Sequence, residues 1–177
     1  MSQLKTLILG GARSGKSALA EKMAREQALE VIYIATATAN DTEMQQRIRH
    51  HQLRRPPHWS VVEEPVALAR VLQEQDQPQR LLLVDCITLW LTKLLLHPKP
   101  EVFAREREAL LDTLPHLQAR LLLVSNETGQ GIVPLGALNR RFVDETGWLN
   151  QALAQCCEQV ILTVAGLPLM LKNEALP

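Results

Sequence analysis

Apolar residues gather along this chain in short, nearly continuous runs separated by longer stretches of helix-forming sequence. Runs at residues 4–9, 31–35, 81–84, 121–124 and 160–164 have the density expected of strands covered on both faces. The stretches 17–27, 41–51, 66–74, 87–96, 102–114 and 135–157 suit helical crossovers between them. After the last run, Gly166-Leu167-Pro168 interrupts the pattern, and residues 169–172 read as a short antiparallel edge strand. Arg54-Arg55-Pro56-Pro57-His58-Trp59 is the clearest loop, because its prolines forbid helix continuation past about residue 51.

The first run leads into Gly10-Gly11-Ala12-Arg13-Ser14-Gly15-Lys16-Ser17, a complete G-x-x-x-x-G-K-S. A strand before it and a helix after it are the context in which this pattern is a phosphate-binding loop rather than a chance glycine-rich turn. Its glycines let successive backbone N–H groups converge on phosphate oxygens at a helix N-terminus, Lys16 adds charge at the β- and γ-phosphates, and the Ser17 hydroxyl can ligate Mg²⁺. The expected fold is therefore an α/β P-loop NTPase of RecA-like type. Its sheet is mostly parallel, with helices on both faces and a C-terminal antiparallel edge strand, in a single domain over residues 1–177.

With 177 residues and 46% apolar content, the chain is long enough for one well-buried domain. Lys plus Arg (19) balances Asp plus Glu (19), so no global field draws it to nucleic acid or to an anionic membrane. Cys86, Cys156 and Cys157 form no C-x-x-C, which fits neither a disulfide framework nor a zinc site and points to reduced thiols. No run reaches the length of a membrane span, and a cytoplasmic protein is expected.

Three further features carry chemistry. The run 81–84 closes on Asp85, a carboxylate at the strand end where ligands of open α/β sheets bind, suited to Mg²⁺ directly or through water. The segment from Asp41 to Arg55 holds His50-His51 within a few residues of Arg54-Arg55. On a helix the two imidazoles point in different directions, and helix geometry does not choose between them. A neutral imidazole can attack phosphorus to form a phosphoramidate, with guanidiniums neutralising the phosphate oxygens; the alternative is a solvated pair at a frayed helix end. The fourth of the runs that begin at 4, 31, 81 and 121 passes into the polar loop Ser125 to Pro134, where Glu127 suits either a substrate contact or loop stabilisation. Arg140 and Arg141 suit a phosphate contact or solvated surface. Trp59, Trp90 and Trp148 are candidate stacking platforms, with core packing as the alternative.

Six blocks in order, Gly10 to Ser17, Tyr33 to Ala37, Arg47 to His51, Arg55 to Trp59, Val84 to Thr88 and Ser125 to Pro134, resemble the bifunctional adenosylcobinamide kinase / adenosylcobinamide-phosphate guanylyltransferase family. The resemblance implies phosphorylation of adenosylcobinamide with ATP or GTP, then transfer of GMP from GTP through a guanylylated histidine, late in coenzyme B12 assembly. The second histidine of the pair, His51, matches the GMP-accepting nucleophile. Nucleotide contacts carried over by motif fall on Gly10, Gly11, Ala12, Arg13, Ser14, Gly15, Lys16 and Ser17, on Thr36, Ala37 and Thr38, on Gln52, Leu53, Arg54 and Arg55, and on Glu63 and Asp85. Where some members carry lysine, this chain has Gln52, so a charge contact there passes to Arg54 or Arg55. Mg²⁺ is implied at Ser17 and Asp85, and a trimeric homo-oligomer is implied as the assembly. An eleven-residue helix over 41–51 is about 16 Å long. Run down the sheet, it carries His51 away from the phosphate loop, unless it crosses the mouth of the site, moves on GTP binding, or serves a neighbouring subunit. The alternative without a covalent step is a small-molecule P-loop kinase or RecA-like ATPase. No N-K-x-D occurs, which argues against an ordinary GTPase.

Overall fold

A computed structural model describes residues 4–37 and 55–174. Seven strands form one sheet in the order β3-β2-β4-β5-β1-β6-β7. The strands are β1 (Lys5–Leu9), β2 (Glu30–Ala35), β3 (Ser60–Glu63), β4 (Arg80–Asp85), β5 (Arg120–Val124), β6 (Gln159–Val164) and β7 (Leu167–Asn173). All neighbours run parallel except β6 and β7. The described helices are α1 (Lys16–Arg25), α2 (Leu68–Gln75), α3 (Ile87–Leu95), α4 (Glu101–Thr113) and α5 (Ala137–Cys156), with a 3₁₀ turn at Leu114–His116. The helix expected over 41–51 lies outside the described residues.

The alternation of side chains along each central strand divides the core in two. Leu7, Ile32, Ile34, Leu82, Val84, Leu121 and Leu123 point to the side packed by α2, α4 and α5 and by most of α3. Ile8, Val31, Tyr33, Leu81, Leu83, Leu122 and Val124 point to the other, where Ala20 and Ala24 of α1 and Trp59 cover them. Continuous apolar runs are thus what a doubly covered sheet requires, and the expected α/β class holds. Trp90 is fully buried and donates its indole N–H to the Val66 carbonyl at 2.7 Å, so it belongs to the core, as does Trp59, whereas Trp148 is exposed.

Three departures from the sequence expectation have local reasons. Strand β3 has no counterpart among the expected strands, being four residues long, at the sheet edge and largely exposed. Strand β7 begins two residues before the expected 169, because Ala165 (φ 51°) and Gly166 (φ 80°) make a tight hairpin turn with positive φ at both central positions. Helix α2 starts after residue 66 because the Glu64 carboxylate takes the N–H groups of Val66 and Ala67, each at 2.9 Å, and the Arg70 guanidinium at 2.8 Å.

Burial pushes the Glu64 carboxyl up, but those backbone donors and Arg70 outweigh it and hold the group below its ordinary 4.5. A depressed carboxylate contributes stability that is fully present above 4.5 and is lost as pH falls through the lower folded value. Glu64→Ala is expected to cost about 1 kcal/mol at neutral pH, as capping losses do. Urea denaturation should show the gap between variant and parent closing on acidification.

Candidate functional site: a phosphate-binding loop at the C-terminal sheet edge

The site is built where β1 ends between β5 and β6, the two strands that pair with it. The chain leaves Leu9, turns through residues 10–15 and enters α1 at Lys16. Gly10 lies where a Cβ would fall 2.5 Å from the Thr163 carbonyl oxygen and 2.5 Å from Ser14 Oγ. Gly15 caps α1 in the left-handed region at φ 101°, and a Cβ there would meet the Gly166 Cα at 3.1 Å. The loop is therefore pressed against the end of β6 and the β6–β7 turn. Two backbone hydrogen bonds fix it: Gly166 N–H donates to Ser14 O at 2.8 Å and Glu127 N–H to Gly10 O at 3.0 Å. Arg13, at φ 57°, takes the left-handed conformation without being glycine, a strained arrangement of the kind that gathers at binding loops.

Lys16 turns back over the loop and its ammonium donates to the Gly11 carbonyl at 2.8 Å. Burial lowers its pKa below the ordinary 10.5, an effect partly offset by the neighbouring Asp85 carboxylate. On the adjoining strands, Asp85 ends β4 and lies beside Ala35 of β2 in register. One carboxylate oxygen, Oδ2, accepts the Tyr33 hydroxyl at 3.1 Å. The next residue, Cys86, is buried, and burial above all, with the Asp85 charge second, pushes its thiol up to about 12, so it remains neutral beside the loop. Thr36 is fully buried; its hydroxyl donates to Cys86 O at 2.7 Å and accepts Cys86 N–H at 2.9 Å, which commits it to the backbone.

Around the mouth, the guanidinium of Arg55 lies 3.7 Å over the Tyr33 ring, a cation–π contact. Glu63 is exposed at the end of β3, paired with Ala35. The β5 exit is tied down by a polar network. Asn126 N–H donates to the Thr88 hydroxyl at 2.7 Å, Ser125 Oγ donates to Asn150 Oδ1 at 2.7 Å, and Asn150 Nδ2 donates to Asn126 O at 3.1 Å. Glu127 accepts the Gly129 N–H at 2.7 Å, the loop-stabilising role of the two considered. Arg140 donates to the Pro134 and Leu135 carbonyls, and Arg141 faces Phe103 and Glu145, so both are engaged locally. A cleft of about 540 Å³ opens beside the loop, with Gly11–Ser14 as floor, Glu127, Thr128 and Gln130 on one wall and Leu162, Val164 and Ala165 on the other.

The structure thus brings Gly10 to Ser17, Thr36, Ala37, Arg55, Glu63 and Asp85 to one edge of the sheet. Thr38, His51, Gln52, Leu53 and Arg54 lie outside the described residues. Sequence reading missed Tyr33 and Thr163 as parts of this edge. Thr163 is a polar residue in the otherwise apolar run 160–164, fully buried with its hydroxyl unpartnered among the described residues, and that break in the run is the signal that marks it.

A family model described as cobinamide kinase / cobinamide phosphate guanyltransferase matches residues 6–171 of the chain. The chain belongs to this family. A relative from Pseudomonas aeruginosa, bifunctional adenosylcobalamin biosynthesis protein CobP, is 60% identical to this family member over 173 residues, covering 98% of this chain and 100% of the relative. The Escherichia coli K12 protein called bifunctional adenosylcobalamin biosynthesis protein CobU is 35% identical over 179 residues, covering 94% of this chain and 98% of the relative. A solved protein of Pyrococcus horikoshii OT3 superposes with a TM-score of 0.54 over 96% of this chain and 86% of its own, at 8% identity, a likeness of fold alone. As a member of the cobinamide kinase / guanyltransferase family, the chain is an enzyme.

The close approach of loop and strand has a direct test. Gly10→Ala forces backbone against the Thr163 carbonyl and is expected to cost about 1–3 kcal/mol, the usual range for overpacking. Gly11→Ala, with nothing within 4 Å of the added Cβ, should change stability little. Urea denaturation of the two variants side by side checks the contrast.

Proposed function

We propose that this enzyme binds GTP or ATP on the loop from Gly10 to Ser17, phosphorylates adenosylcobinamide, and then transfers GMP from GTP to adenosylcobinamide phosphate through a guanylylated His51, yielding adenosylcobinamide-GDP. The observation that carries the reading is the convergence of loop amides, Lys16 and Asp85 at one sheet edge in a chain that the family model covers from 6 to 171.

In the first step, the loop amides and Lys16 hold the β- and γ-phosphates in place for in-line attack by the substrate hydroxyl on the γ-phosphorus; the bond to the β–γ bridging oxygen breaks, the nucleoside diphosphate leaves with its electrons, and the hydroxyl proton is released to solvent. The Ser17 hydroxyl, the Asp85 oxygen left over by Tyr33 and the nucleotide's own phosphate oxygens make a hard-oxygen donor set that fits Mg²⁺. When bound there, Mg²⁺ neutralises charge that develops on the phosphates. In the second step, the neutral imidazole of His51 attacks the α-phosphorus of GTP and pyrophosphate leaves with the bonding electrons. A phosphate oxygen of adenosylcobinamide phosphate then displaces the imidazole from that phosphorus. Arg54 and Arg55 offer guanidiniums to the phosphate oxygens through both displacements, and Ala37, Thr38, Gln52, Leu53 and Glu63 complete the nucleotide contacts, while Thr36 holds the Cys86 backbone behind them.

Several large apolar side chains stand exposed on β7 and in the loop before α5, among them Leu167 (72%), Leu169 (56%), Ile132 (99%) and Leu135 (97%). They support a homo-oligomer, read by family resemblance as a trimer. The reading takes the enzyme to be cytoplasmic; among the described residues no helix is long and apolar enough to cross a membrane.

Two experiments test these readings. With α-labelled GTP and Mg²⁺, the wild type should take up covalent label mapping to His51. His51→Ala should abolish that label while retaining phosphorylation of adenosylcobinamide from γ-labelled nucleotide. Label persisting in the variant moves the role to His50 or elsewhere, and an unlabelled wild type favours a kinase without a covalent step. For the assembly, Leu169→Asp should lower the mass measured by sedimentation equilibrium to that of a single chain.

A further inference from the structure

Tyr33 is the sole tyrosine of the chain and is almost wholly buried, yet its hydroxyl serves no core partner. The register explains where that hydroxyl goes. Tyr33 lies opposite Leu83, and Asp85, two residues further along β4, projects to the same face of the sheet as Leu83. That is the face covered by α1, whose first residue is Lys16. The diagonal neighbour relation puts the phenol 3.1 Å from Asp85 Oδ2 and leaves the second carboxylate oxygen without that constraint. The other side of the same ring carries the Arg55 guanidinium at 3.7 Å.

The geometry points to Tyr33 as a positioning residue that orients the Asp85 carboxylate toward a divalent cation and keeps it from closing on Lys16. The inference rests on the metal reading of Asp85 given above. An aspartate next to a half-desolvated ammonium is drawn toward it by Coulomb attraction, which strengthens as water is excluded. Here Lys16 instead donates to the Gly11 carbonyl, and the carboxylate is held by the phenol. The arrangement keeps both charges available for a phosphate–metal complex. Because Phe preserves the ring, Tyr33→Phe removes the hydrogen bond while keeping a face for Arg55.

The test is equilibrium binding of a fluorescent GTP analogue to the full chain, titrated with Mg²⁺ and repeated in EDTA, for wild type, Tyr33→Phe and Asp85→Asn. Loss of a hydrogen bond to a charged group predicts that Tyr33→Phe raises the Mg²⁺ concentration at half-saturation about tenfold, with binding in EDTA close to wild type. A purely structural role would weaken binding equally with and without Mg²⁺, and that result overturns the inference. If Asp85→Asn shifts the Mg²⁺ dependence and Tyr33→Phe does not, Tyr33 loses its role and the metal reading stands. If Asp85→Asn leaves it unchanged, the metal reading falls and the inference falls with it. Since the chain has one tyrosine, growth on 3-fluorotyrosine labels this position alone without a substitution. Its ¹⁹F resonance should move on adding Mg²⁺ to the GTP complex, and a resonance indifferent to Mg²⁺ overturns the proposal even where the Phe variant fails to fold.

Discussion

The arrangement of this molecule depends on one tight passage: the loop after β1 runs so close to the end of β6 that no Cβ fits at Gly10. Everything at the sheet edge follows from it. The loop can approach the Thr163 carbonyl only as bare backbone, and its carbonyls at Gly10 and Ser14 are then claimed by the N–H groups of Glu127 and Gly166 from either side. The N–H groups at the start of α1, which a helix leaves without intrahelical partners, remain for a ligand, and the Lys16 ammonium folds back over the loop beside them. Strands β5 and β6, in turn, can flank β1 because each is apolar enough to be covered on both faces. The packing of the interior and the shape of the binding loop are two aspects of one constraint.

How far the sequence discloses this varies with the range of the interaction. The runs that become β1, β2, β4, β5 and β6 are legible because burial on two faces imposes a continuous apolar signature, and the phosphate loop is legible because its demands are local. Strand β3 escapes because an edge strand with exposed side chains has no such signature; only its pairing to β2 defines it. The start of α2 depends on where the Glu64 carboxylate reaches, which the helical periodicity does not encode.

The site shows the same division. Gly10 to Ser17 and Asp85 can be read residue by residue, the first from spacing and the second from a charge that ends an apolar run. The link from Tyr33 to Asp85 cannot, since the two are 52 positions apart and meet only through the register of β2 on β4. In the sequence Tyr33 is one aromatic in an apolar strand, a pattern that core packing explains by itself. Thr36 shows the converse: it stands in a block that marks a nucleotide contact, yet its hydroxyl is consumed in holding the Cys86 backbone.

The hydrogen bond from Gly166 to Ser14 joins residues near opposite ends of the described chain. During synthesis β1 and its loop leave the ribosome well before the strands that flank β1 and the turn that braces the loop. The binding loop, translated before its supports, therefore reaches its working shape only once they are in place. Until β6 and its turn emerge, the nascent chain carries the motif but has no rigid seat for a triphosphate.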